Sequence, residues 1–87
     1  MTAGPQHVDG NAVGGILIDV FGREMTGARE MCGGCGSERE LGALIAYTRG
    51  PGDVLRCPDC GTVLIVCVRI GDGYRIAMRS VAWLEMP

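Results

Sequence analysis

The sequence predicts an α+β domain in which an N-terminal helix packs on a small antiparallel sheet of three to four strands. Three observations predict it. Ala12, Val13, Ile16, Leu17, Val20 and Phe21 recur at helical spacing and put six apolar side chains on one face. Residues 62–70 and 74–80 are two extended segments about a glycine-rich turn. Finally, the unit Cys-x-x-Cys-Gly occurs twice, and each copy follows a segment that can be extended.

Residues 1–8 are expected to be a flexible tail, and residues 9–87 a single domain, with the helix over about 9–22 and the sheet over about 26–87. At 87 residues the chain has room for one core. Asp9 or Asn11 suits the helix N-cap, and Gly22 suits its stop. Gly14 and Gly15 in its middle cost roughly 1 kcal/mol each against alanine, so this helix depends on packing. Asp19 lies off the stripe and is expected to face water.

The remaining elements are short. Residues 26–31 lead into Cys32-Gly33-Gly34-Cys35-Gly36, and residues 41–48 alternate acceptably for a strand. Residues 49–53 read as a turn from their glycine and proline. Residues 54–56 run into Cys57-Pro58-Asp59-Cys60-Gly61 and then into the strongest strand, 62–70. A three-residue loop over 71–73 would pair Ile70 with Tyr74, and so place Arg69, Arg75 and Arg79 on one face. Residues 81–86 are apolar enough to pack back on the domain.

Cys32, Cys35, Cys57 and Cys60 are the candidate metal ligands. A Cys-x-x-Cys on a tight turn aims two thiolates at one ion, and the glycine after it lets the backbone curl beneath the sulfurs. The two pairs stand 21 residues apart, close to the spacing of tetrahedral zinc sites. Soft thiolates in that geometry select zinc, with iron as the alternative. Four sulfurs leave no open coordination position, so the expected metal is structural, one per chain, and no enzyme is expected. The sheet is therefore expected to be a zinc ribbon.

The double knuckle resembles zinc ribbons, and Cys57-Pro58-Asp59-Cys60-Gly61 is also similar to a rubredoxin knuckle. From Asp9-Gly10-Asn11-Ala12 through Phe21-Gly22 and both knuckles to Trp83-Leu84-Glu85, the chain resembles a family of short, uncharacterised actinobacterial zinc-ribbon proteins. That resemblance implies the fold and the metal and no activity. It also implies an oxidoreductase as a partner, because similar proteins are encoded beside flavin or molybdenum oxidoreductases.

Composition narrows the remaining readings. A net charge of −2 argues against general nucleic-acid binding, although all eight basic residues are arginine. The main expectation is a non-enzymatic binding or adaptor module with a protein partner. A rubredoxin-like one-electron carrier is the alternative, and a nucleic-acid-binding ribbon the weaker one. The N-terminus lacks a positive segment followed by an apolar one, and no apolar run is long enough to span a bilayer. A cytoplasmic, reducing location is expected, where paired cysteines serve as metal ligands rather than disulfides. Cys67, inside the apolar strand, is expected to be a small core hydrophobe. His7 is expected to be a solvated tail residue. The only serines are Ser37 and Ser80, so no Ser/His/Asp constellation can be assembled.

Overall fold

A computed structural model describes residues 8–86. Of the expected tail, residues 1–7 and with them His7 lie outside the described residues, whereas Val8 is already in a strand. Among the described residues the chain is mostly β: eight strands in two antiparallel sheets, with one short α-helix. This overturns the expected α+β arrangement of a helix on one small sheet. The strands are β1 (Val8–Asp9), β2 (Arg29–Cys32), β3 (Glu38–Glu40), β4 (Ile45–Tyr47), β5 (Gly52–Arg56), β6 (Val63–Ile70), β7 (Gly73–Met78) and β8 (Val81–Glu85). One sheet has the order β1-β4-β5-β6-β7, and the other the order β3-β2-β8.

The expected helix splits in two. Gly10–Val13 is a 3₁₀ turn whose start is capped by the Asp9 carboxylate, which accepts from the Asn11 N–H at 3.1 Å. Only Gly14–Phe21, called α1, is α-helical. Gly10 has a close neighbour that explains the break: a Cβ there would stand 1.9 Å from the Leu41 carbonyl oxygen, in the facing 3₁₀ turn Leu41–Ala43. Contact between the two turns takes precedence over helical continuation. The apolar stripe points the right way, since Val13 and Leu17 are buried, but Ala12 is exposed. Asp19 faces water and Gly22 ends α1 at φ +76°, donating its N–H to the Ile18 carbonyl.

Two other expectations change. Residues 41–44 are not strand, so the segment read as extended over 41–48 is β4 preceded by the 3₁₀ turn. The β6–β7 loop has two residues, Gly71 and Asp72, because Ile70 pairs with Gly73 and Arg69 with Tyr74. Gly71 takes φ +57°, which a short loop of this kind needs. Shifting the pairing by one residue sends Arg69 to the opposite face from Arg75 and Arg79. There Arg69 donates to the Tyr74 hydroxyl at 2.9 Å and lies over its ring, 5.2 Å from the centroid.

One core serves both sheets. Leu17 of α1, Leu41 and Leu44, Ala46, Leu55, Leu64, Ile65 and Cys67 of the larger sheet's region, and Cys32 of the smaller sheet belong to one buried cluster. Residues 81–85 do pack back, as a strand of the smaller sheet paired with β2.

Candidate metal centre

Each cysteine pair sits where a strand runs out of sheet. Cys32 is the last residue of β2 and Cys57 follows β5, so one pair comes from each sheet. Both knuckles then repeat the same bonds. Gly36 and Gly61 adopt φ +78° and +79° and return their N–H groups to the carbonyls of Cys32 and Cys57, each at 2.8 Å. The N–H of Cys32 donates to the Ser37 carbonyl and that of Cys57 to the Thr62 carbonyl, each at 2.9 Å. The Gly34 N–H donates to Cys32 Sγ at 3.3 Å, and the Asp59 N–H to Cys57 Sγ at 3.4 Å. Two sequences that differ at both middle positions thus build one geometry. The trailing glycine decides it, since a left-handed residue there is strained for any side chain.

The four sulfurs lie within 4.8 Å of one another. Cys32 Sγ is 3.7 Å from Cys60 Sγ, and Cys35 Sγ is 3.7 Å from Cys57 Sγ. Sulfurs about 2.3 Å from a central tetrahedral ion would stand about 3.8 Å apart, so this donor set fits a single metal ion. All five cysteines are free thiols, and the first of each pair is buried while the second is exposed.

The electrostatics agree with a site built for a cation. At Cys35 the Ser37 backbone N–H favours the thiolate, but desolvation and the three neighbouring sulfurs push its pKa up to about 12. Burial raises Cys57. Cys60 moves the other way, to about 7, held there by the Thr62 hydroxyl and N–H. Four thiolates at this separation repel one another, and a divalent cation removes that repulsion.

Several neighbours were not foreseen from the sequence. Arg39, the middle residue of β3, makes a bidentate pair with Asp59 of the second knuckle, with Nε to Oδ2 and Nη2 to Oδ1 both at 2.8 Å. Ser37 also donates to Asp59. Arg39 first and Ser37 second hold the Asp59 carboxyl down at about 2. The pair is exposed, but it joins the same two sheets as the cysteines do. Glu30 pairs in register with Arg39 and is fully buried, and its Oε1 has no hydrogen-bond partner among the described residues. Burial pushes its carboxyl up, against the pull of Arg39. Arg56 donates to the Gly61 carbonyl at 2.8 Å and lies over Tyr47, 5.5 Å from the ring centroid. Trp83, distant in sequence, pairs with Met31 beside Cys32. A strand pairing across 52 positions leaves no local signal.

Cys67 stands apart from the four. It is 3% exposed in β6, opposite Asp53 and Ile76, and burial followed by the Asp53 charge raises its thiol.

Residues 4–87 match the family of unknown function DUF6510. The chain belongs to that family. No curated protein and no solved structure matches it. No α-helix among the described residues is long and apolar enough to cross a membrane.

Proposed function

We propose that this member of DUF6510 is a non-enzymatic binding or adaptor module in which Cys32, Cys35, Cys57 and Cys60 hold one structural zinc ion. The observation that carries the reading is the origin of the ligands: one pair on each sheet, with sulfur separations of 3.7 Å across the pairs. An ion held there ties the smaller sheet to the larger one. Four sulfur ligands leave it no position for a substrate, which favours a structural over a catalytic role. Surface is then what the domain offers, and its partner is a protein met in a reducing compartment. Elemental analysis of purified protein should give one zinc per chain and no colour. Cys57→Ser should lose the metal and most of the folded signal, because binding and folding are coupled at such sites. Full metal content in that variant would refute the ligand set. Red protein with a reversible one-electron couple would replace zinc by iron, and the adaptor by an electron carrier.

A further inference from the structure

The larger sheet buries one face in the core, where Ala46, Leu55, Ile65, Cys67 and Ile76 alternate inward. Its other face carries Tyr47, Val54, Val66 and Ala77 in one cross-strand row, and Val68 beside Arg75 in the next. All of these but Arg75 are half-buried among their neighbours, and among the described residues neither α1 nor a strand of the smaller sheet pairs with this part of the sheet. Arg56, Arg75 and Arg79 frame this aliphatic strip. None of the residues in these rows is acidic, although the chain holds ten carboxylates. Among the described residues the only ion pair is Arg39–Asp59, so the guanidinium groups of Arg75 and Arg79 have no carboxylate of their own. A groove of about 370 Å³ runs between Arg56 and Arg79 over a floor of Val54, Val63 and Val66.

The geometry points to this face as the docking surface for an acidic, amphipathic segment of a partner protein, one whose aliphatic side chains lie on the valines while its carboxylates meet Arg75 and Arg79. The inference deepens the adaptor reading and rests on it. Charge complementarity decides the occupant. A second copy placed face to face would set arginine against arginine across a two-fold axis. Single-stranded nucleic acid takes stacking platforms as well as positive charge. Here the one aromatic residue of the rows already has Arg56 over its ring, and the centre of the face is aliphatic. An aliphatic centre with an arginine rim is the composition of a protein-binding patch.

The test uses full-length, metal-loaded protein labelled for NMR. It is titrated with an eight-residue peptide alternating Glu and Leu, with its Lys–Leu counterpart, and with an eight-nucleotide oligothymidine. The Glu–Leu peptide should give saturable shifts at Val54, Val66, Val68, Arg75 and Arg79, and the Lys–Leu peptide none. Binding should weaken at least tenfold in the Arg75→Glu/Arg79→Glu variant, whose metal content should match the wild type because both side chains are exposed. It should also weaken between 50 and 300 mM salt, as screened charge pairs do. Absence of shifts on this face, equal binding by the variant, tighter binding of oligothymidine, or salt-sensitive self-association through these residues would each overturn the proposal. Metal content and unfolding on chelation test the adaptor reading separately, so one can fail while the other stands.

Discussion

Asp53 and Cys67 face one another across β5 and β6 on the core side of the sheet. Burial raises the Asp53 carboxyl above its ordinary value, so the folded chain holds that proton more tightly than the unfolded chain does. Its contribution is therefore fully present below the unfolded pKa near 4 and is lost as pH rises through the folded value. Asp53→Asn, which cannot ionise, should be more stable than the wild type at pH 7, and the advantage should shrink as pH falls through the range in which the metal stays bound. Denaturant titrations of both proteins at matched metal load would check this, and a difference independent of pH would contradict it. Cys67 behaves as the small hydrophobe its setting in an apolar strand implies. Cys67→Val should leave the metal content unchanged and alter stability by roughly 1–2 kcal/mol. Loss of metal in that variant would mean that the ligands are wrongly assigned. The sequence located Cys67 through its apolar flanks. Glu30 gave no such signal, because a charged residue between Arg29 and Met31 reads as exposed until β3 and β8 enclose it on both sides.

At the scale of elements, close approach and cross-links matter more than propensity. Gly10 and Gly42 let the two 3₁₀ turns touch: a Cβ on Gly42 would stand 2.5 Å from the Asn11 side-chain oxygen and 3.1 Å from the Thr26 carbonyl. Gly10→Ala has no room at all, since its neighbour is backbone, and it should destabilise the fold by about 3 kcal/mol or more. Thermal unfolding would measure it, and an unchanged midpoint would show that the turns can separate freely. The Arg39–Asp59 clamp makes a different prediction. Asp59→Asn keeps the shape and removes the charge, so the second knuckle should hold its metal less firmly, with faster loss to a chelator and little change in content at rest. Outer-shell contacts of this kind tune metal affinity by 10–100-fold. Equal release rates would make the pair a surface contact without effect on the centre. The helical stripe, its Gly22 stop and the β6 strand were legible because periodicity and turn chemistry are local. The charged strand β3, with sequence Glu-Arg-Glu, was not, since only its pairing with β2 makes it a strand.

The described residues form two sheets with a shared core, which meet again at the four clustered cysteines and at the exposed Arg39–Asp59 pair. An eight-residue α1 is too short to persist alone in water. Chelation should therefore abolish the β signal and the helical signal together. Trp83, 38% exposed on the strand beside Cys32, should report the same transition by fluorescence. A fluorescence change with the far-ultraviolet spectrum intact would mean that the sheets hold without the ion. What the sequence determined alone is the pair of knuckles with their four cysteines, the apolar stripe of α1 and the existence, though not the register, of the β6–β7 hairpin, because each depends on residues a few positions apart. Tertiary structure decided the rest. It divided the strands between two sheets, brought residues 81–85 beside β2, and moved Arg69 away from Arg75 by one step of register. Hydrogen bonding between distant strands leaves no period in the sequence, and a shift of one residue exchanges every side chain between the faces of a strand.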